Sequence, residues 1–451
     1  MMPDLISSSI RRGILGLGQT GLSVARFWRD QGLPFIAMDT RAELQSDLGL
    51  RRELSGVETH FGELDEGLMD QLDLLIASPG IAMDSEVIKR AQSQDVDVRG
   101  DIDLFVAEAT VPVIGITGSN GKSTVTTYVG QLLTSCGLKV AVGGNIGVPA
   151  LDLLDCDVDV YVLELSSFQL ERAGNLDLAV AAVLNLSPDH LDRHRTMPLY
   201  HLAKHRIFAG AQHVVANYRD SLTQPIGKGD VPWTVWRDNE PDIDQIGLRD
   251  SDGATWICHG FEPLCPVSAI PVVGKHNVEN ALAALSIGRA MGLEFGPLID
   301  GLTALEGLPH RCELIAIERG ISFVNDSKGT NVAASVAALA GLADGQNIVL
   351  IAGGNGKGQS FEALAKAAVI YAKHVVLIGL AADEIEGAIG GTVPVSRVCS
   401  MKEAVDAAIS VASAGDTVLL SPGCASFDMF RDYVDRGETF KAAVVEAEAS
   451  L

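Results

Sequence analysis

An apolar run at residues 111–117 leads directly into Gly118-Ser119-Asn120-Gly121-Lys122-Ser123-Thr124, and a helix-forming stretch follows over 122–133. Strand, glycine-rich turn and helix in that order put the turn where ligands gather in open α/β sheets. The turn reads as a cradle for a nucleoside triphosphate. Its glycines let backbone N–H groups face phosphate oxygens, and the start of the helix adds a favourable dipole. Lys122 would reach the β- and γ-phosphates, and the Ser123 hydroxyl would sit on Mg²⁺. Ile116 stands where the G-x-x-x-x-G-K-[ST] pattern has its first glycine, which argues against an ordinary P-loop kinase or GTPase.

The 451 residues leave room for about three domains. Short apolar strands alternate with helices throughout, so the expectation is an α/β protein of parallel sheets. Its parts are a Rossmann-like first domain over residues 1–109, a central P-loop-type ATPase domain over 110–305 and a Rossmann-like C-terminal domain over 306–451. Strands are predicted at 34–38 and 72–77, then at 160–165 and 179–186, and finally at 321–325, 348–352, 375–378 and 417–420. Residues 233–259, richer in aromatics and turns, read as a small antiparallel patch, and 277–291 as a helix.

The first segment opens with Gly16-x-Gly18-x-x-Gly21, and Asp39-Thr40-Arg41 follows the next strand. Alone this is a dinucleotide fingerprint and would suggest an NAD enzyme. Any diphosphate can sit on such a turn and helix end, with the acid on base or ribose, so a nucleotide-diphosphate sugar is the other tenant. The rest of the chain favours the second.

A formal net charge of −24 leaves no basic footprint for nucleic acid, so anionic ligands must be met by local cations and backbone amides. Seven scattered cysteines (Cys136, Cys156, Cys258, Cys265, Cys312, Cys399, Cys424) contain no C-x-x-C pair and fit reduced thiols. Residues 1–12 lack a leader pattern and no apolar run approaches membrane-spanning length. The expectation is a cytoplasmic protein without membrane insertion, and nothing in the sequence calls for an obligate partner chain, so a monomer.

Several residues could do chemistry. Glu164 ends a buried strand beside the phosphate loop, where a carboxylate can hold Mg²⁺. His190 lies in Asp189-His190-Leu191-Asp192, after the next strand, whereas Lys204 by itself reads as a solvated helix lysine. In the third segment Arg311 offers a planar fork to phosphate. Asp326 and Lys328 face ligand from Asn325-Asp326-Ser327-Lys328-Gly329-Thr330-Asn331, in which Thr330 or Asn331 could equally be a helix cap. The turns 353–358, with Lys357, and 421–428, with Ser426, suit small anions. A triphosphate–Mg²⁺ centre with two further anion pockets suits the joining of two anionic substrates at the expense of ATP.

These motifs together resemble the Mur ligases of bacterial peptidoglycan synthesis, along the whole chain, and within that family the member that adds D-glutamate to UDP-N-acetylmuramoyl-L-alanine. The resemblance implies ATP and two Mg²⁺ ions as cofactors. It implies that Gly18, Gln19, Thr20, Gly21, Asp39, Thr40, Arg41, Ser78 and Gly80 hold the UDP moiety, with Asn145 on the muramoyl side. Gly118, Ser119, Asn120, Gly121, Lys122, Ser123 and Thr124 would cradle ATP, with Asn277 and Asn280 near the adenine and Arg311 and Asp326 at phosphates and ribose. Ser123 and Glu164 would share one Mg²⁺; His190 and a carbamylated Lys204 would hold the second, a role that only the resemblance gives Lys204. His310, Lys328, Thr330, Lys357, Ser426 and Tyr433 would surround the D-glutamate carboxylates. The family more often has alanine at Gly329 and an acid at Asn355. Folylpolyglutamate synthase shares the ATP chemistry but lacks a UDP-binding first domain.

Overall fold

The computed structural model describes residues 10–64, 66–154, 157–227, 230–272 and 274–448; residues 1–9 and Cys156 lie outside the described residues. Three sheets carry the fold. The first has five parallel strands in the order Glu58–Phe61, Phe35–Asp39, Arg12–Leu15, Leu74–Ala77, Asp97–Arg99. The chain order reverses beside Arg12–Leu15, and at such a switch point the loops on either side part to leave a crevice.

In the nine-stranded central sheet Val113–Thr117 lies between Val160–Glu164 and Val180–Val183. All three are buried along their length, as parallel strands covered on both faces must be. Their carboxyl ends therefore deliver Gly118, Glu164 and Asn185 to one edge. The expected antiparallel patch proves to be an extension of this sheet. Trp233–Trp236 pairs parallel with Val214–Asn217 and with Ile246–Ser251, and the antiparallel pairings are those of Ala254–His259 with Ile246–Ser251 and with Glu262–Pro266. Short hairpin turns at 252–253 and 260–261 impose the change of direction.

The third sheet runs Glu313–Glu318, Ile321–Asn325, Thr417–Leu420, Ile348–Gly353, Ala372–Ile378, Val395–Arg397. Its first strand is antiparallel and half exposed, and it was not anticipated although residues 314–317 form a short apolar run. Thr417–Leu420 sits centrally, so the loops after residues 325, 353 and 420 emerge side by side.

The chain divides into two compact units, Met1–Pro266 with Leu282–Leu302, and Val267–Ala281 with Thr303–Leu451. Within the first unit one apolar cluster runs from Ile14 and Trp28 through Phe105 to Tyr161 and Tyr200, binding the first sheet to the central one. Phe105 and Tyr161 meet edge to face at 5.0 Å, and Arg26 ties Glu53 to Asp152. Among the described residues no helix is long and apolar enough to cross a membrane.

The three glycines of the first motif do different work. Gly16 takes φ +93°, which the tight turn requires. A Cβ on Gly18 would meet nothing within 4 Å, so this position faces open space. A Cβ on Gly21 would lie 1.9 Å from the Gly16 carbonyl oxygen, because the helix Gln19–Asp30 packs directly on the turn. Gly21→Ala should therefore cost about 2 kcal/mol or more by overpacking, read as a lowered thermal midpoint, whereas Gly18→Ala should leave the midpoint unchanged.

Candidate functional site

The crevice of the first sheet is a cleft of about 540 Å³ lined by Gly16, Gly18, Gln19, Thr20, Asp39–Arg41, Ser78–Ile81, Gly144, Asn145 and Gln169 among others. The structure thus gathers nearly every residue assigned to the UDP moiety; Gly21 stands behind the wall. The helix starting at Gln19 has no side-chain cap, leaving its first N–H groups toward the cleft.

Asp39 lines the cleft, and both its oxygens already accept from the protein. Oδ1 accepts from the backbone N–H and Nε of Arg41, each at 2.9 Å, and Oδ2 from Leu17 N–H and Arg41 Nη2, each at 2.7 Å. Burial alone would raise its pKa, yet these donors, Arg41 above all, hold it below the usual range. Asp39 anchors the turn and aims the half-exposed Arg41.

Sequence reasoning missed the loop's other support. Arg172, from just after the central-sheet helix Ser167–Leu170, has no solvent-exposed side-chain surface. Nη1 donates to the carbonyls of Ala77 and Ser78 at 2.8 Å each, Nη2 to that of Ile81 at 2.7 Å and Nε to that of Phe168 at 3.1 Å. Burial pulls its pKa down to about 10. Spacing gives no hint of this role, since a lone arginine after a short helix looks like surface. Beside it, Gln169 donates to the fully buried Asp101, whose carboxyl burial pushes up to about 6.

The phosphate loop is braced from the neighbouring strand end. Asn185 Oδ1 accepts from Asn120 N–H at 2.8 Å, its Nδ2 donates to the Asn120 carbonyl at 3.0 Å, and Ser119 N–H donates to the Asn185 carbonyl. Ser119 Oγ donates to the Ser187 carbonyl and meets the Tyr200 hydroxyl at 3.1 Å. Gly121 turns the chain at φ +79°, and Lys122 folds back to the Ser119 carbonyl at 2.9 Å.

Glu164 is buried at this edge. Oε1 accepts from Asn145 Nδ2 at 2.9 Å, while Oε2, equally buried, has no hydrogen-bond partner. Asn145, expected on the muramoyl side, thus holds Glu164 as well as lining the cleft. Lys204 is the other departure. It is not a solvated helix lysine: only 1% of the residue is exposed, and Nζ donates to the Gly118 carbonyl at 2.8 Å and Thr117 Oγ1 at 3.2 Å. Burial and the nearby Lys122 push its ammonium well below the usual range, against Asp189 and Glu164. His190 sits on a left-handed backbone and meets the Phe168 ring at 4.9 Å, with a half-exposed side chain. Among the described residues no three His, Cys, Asp or Glu converge as a ready metal cage.

In the second unit His310, Lys328 and Tyr433 come together: Lys328 Nζ lies 3.6 Å from the Tyr433 ring centroid, and the His310 and Tyr433 rings are 6.2 Å apart. Buried Asn325 donates to His310 Nδ1 at 2.9 Å, which leaves the ring proton on Nε2. A Cβ on Gly437 would lie 2.2 Å from that Nδ1, so the His310 ring rests on bare helix backbone. Buried Arg436 donates to the Ser327 and Cys424 carbonyls, joining two of the three loops. Asn355 and Ala425 exchange backbone bonds, joining the third, and set Lys357 on an exposed left-handed turn beside the loop of Ser426. The Lys328 carbonyl accepts from Thr330 N–H. Asp326 accepts from Ser421 Oγ at 2.7 Å, and burial raises its carboxyl to about 6 although Arg311 acts to lower it. A Cβ on Gly329 would meet its Oδ2 at 2.6 Å, so an alanine there would crowd this carboxyl. Asn280 Nδ2 donates to Asn277 Oδ1 at 3.2 Å on their shared helix.

Comparison with known proteins agrees across the chain. Family models match at residues 11–100 (Mur ligase MurD-like, N-terminal domain), 116–288 (Mur ligase middle domain) and 310–424 (Mur ligase, glutamate ligase domain). The chain is 47% identical over 446 residues to a UDP-N-acetylmuramoylalanine–D-glutamate ligase of Pseudomonas fluorescens, covering 98% of this chain and 99% of that protein. Proteins of the same name from Pseudomonas aeruginosa and Marinobacter nauticus are 46% and 44% identical, again over 98% and 99%. Among solved structures, a pseudomurein peptide ligase type C from Methanothermus fervidus (TM-score 0.62, 19% identity, 97% of this chain and 100% of that one) has a similar fold. So does a UDP-N-acetylmuramate-alanine ligase from Thermotoga maritima (TM-score 0.59, 19% identity, 98% and 100%).

The anchoring role of Asp39 has a direct check. Asp39→Ala strips Arg41 and two backbone N–H groups of their acceptor, so unfolding should become easier by about 2 kcal/mol. An unchanged denaturation midpoint would refute that role.

Proposed function

Because the chain belongs to the Mur ligase family, we propose that it joins D-glutamate to UDP-N-acetylmuramoyl-L-alanine with conversion of ATP to ADP and phosphate, as a step of peptidoglycan precursor synthesis. Identity of 44–47% along essentially the whole chain to relatives bearing that activity in their names carries the choice of amino acid. The geometric observation that carries the chemistry is Glu164. A buried carboxylate fixed through one oxygen, with the other unpartnered beside a phosphate loop, is a metal ligand in waiting.

The alanyl carboxylate lacks a leaving group, so transfer of the ATP γ-phosphoryl to it makes an acyl phosphate. The D-glutamate amine attacks the acyl carbon, and the tetrahedral intermediate expels phosphate to leave an amide. The backbone amides of 118–123 would hold the β- and γ-phosphates, and Lys122, already turned back to the loop, would offset their charge. The cleft would take the UDP moiety, its diphosphate on the open face at Gly18 and its sugar toward Arg41. His310, Lys328 and Tyr433, with Thr330, Lys357 and Ser426, would recognise D-glutamate. Asn277, Asn280, Arg311 and Asp326 would serve the nucleotide.

Ser123 and Glu164 fit one Mg²⁺, which when bound neutralises phosphate charge during transfer. The second site, with His190, fits only after Lys204 is modified. As an ammonium it repels a cation; as a carbamate it presents oxygen ligands. Its burial suits that conversion, since a depressed pKa supplies the neutral amine that reacts with carbon dioxide. The reading implies a cytoplasmic enzyme that works as a monomer without nucleic acid.

Phosphate release from Mg-ATP should require UDP-N-acetylmuramoyl-L-alanine and D-glutamate together, and fail with L-glutamate, L-lysine or diaminopimelate. Release with another amino acid would keep the ligase chemistry and refute the specificity. Lys204→Ala should lose at least about 100-fold in kcat, the order seen when a single transition-state charge contact is removed, and regain part of it with added short-chain carboxylic acids. Full activity without them would refute the carbamate.

A further inference from the structure

The segment 190–195 touches two regions that the reaction above uses separately. His190 and Arg195 bound it, both with left-handed backbones, φ 53° and 66°. Non-glycine residues hold that conformation where their surroundings enforce it. Here two arginines reach out to the first domain. Arg195 pairs with Asp84, and Arg193 donates through Nη2 to the Ile81 carbonyl at 2.6 Å. Ile81 closes the cleft loop 78–81, and the same carbonyl accepts from Arg172 at 2.7 Å. Glu171 stands between the two guanidiniums and pairs with both, so their mutual repulsion is cancelled. On its other side Arg193 lies over the Phe168 ring, 5.2 Å from its centroid, and that ring meets His190 edge-on at 4.9 Å. Direct contacts therefore run from the cleft loop through Arg193 and Phe168 to His190.

We propose that Arg193 is a positioning residue that registers His190 against the cleft loop, so that binding of the uridine nucleotide and binding of Mg-ATP favour each other. The inference rests on the ligase reading for the two ligands, and on the contacts for their connection. A ligand seated against loop 78–81 fixes one end of the path, and a metal nucleotide engaging His190 fixes the other. Each then finds its half already ordered, and the gain is reciprocal. Arg172 holds the loop to the central sheet whether or not Arg193 is present. Arg172 also reaches the Phe168 main chain through its carbonyl, whereas Arg193 lies over the ring that meets His190.

Calorimetry of a non-hydrolysable Mg-ATP analogue, with and without saturating UDP-N-acetylmuramic acid, tests this in the full-length protein. The parent should bind the analogue about 5-fold or more tightly when the uridine nucleotide is present, with the same factor in reverse. Arg193→Ala should abolish the factor while each ligand alone binds as to the parent. Its kcat should fall with KM for D-glutamate unchanged. Glu171 keeps Arg172 as partner in that variant, so no charge is orphaned. Arg193→Lys, which keeps a cation for Ile81 and Glu171 but offers no planar group to the Phe168 ring, should restore part of the factor, and serves if the alanine variant does not fold. A parent without coupling, or an Arg193→Ala protein that retains it, overturns the proposal. D-Glutamate-dependent phosphate release by the parent tests the ligase reading separately: an active but uncoupled parent sinks this inference alone.

Discussion

The bracing of the phosphate loop by Asn185 is the constraint on which the rest of the first unit depends. A loop that offers its N–H groups to a ligand cannot satisfy them internally, so its shape must be fixed from outside. Asn185 does this through both ends of its amide, and Ser119 adds a hydroxyl shared with Ser187 and Tyr200. Because Asn185 ends the strand next to Val113–Thr117, the register of the central sheet sets the loop. Lys204 then fits beneath it, donating to the first carbonyl of the loop. Glu164 comes to the same edge from the strand on the other side.

Burial governs which charges can act. Arg172 and Arg436 are spent on backbone carbonyls and hold loops; Asp39 is spent on Arg41 and holds a turn. Glu164 keeps an oxygen in reserve. The difference between a scaffold charge and a working one is therefore a count of filled hydrogen-bond positions, not residue type or exposure. The second unit follows the same rule, with Asn325 fixing the His310 ring while the half-exposed Lys328 is held against an aromatic face.

Much of this was legible in the sequence, because apolar runs and glycine turns act locally. Strand–turn–helix at 113–122, the cleft glycines and the three loops of the third sheet follow from spacing, since backbone conformation leaves its mark within a few residues. The edge strand Glu313–Glu318 and the parallel strand at Trp233–Trp236 were missed or misread because a half-exposed strand borrows its stability from neighbours distant in sequence. Lys204 looked ordinary because its burial is made by Tyr200 and the phosphate loop, more than eighty residues away. Asp39 was legible as a cleft residue, with its partner Arg41 in plain view, but nothing in the spacing says that their bond is complete.

The cleft loop is gripped by its main chain. Arg172 and Arg193 hold carbonyl oxygens of residues 77, 78 and 81, groups every amino acid carries. The side chain at Pro79 is thus released from that duty, while Ile81 still packs on the core of the first sheet. The loop can change its lining to suit a different sugar nucleotide while its position stays put. A scaffold that reads backbone and leaves side chains free is one on which new specificities can be tried without loosening the fold.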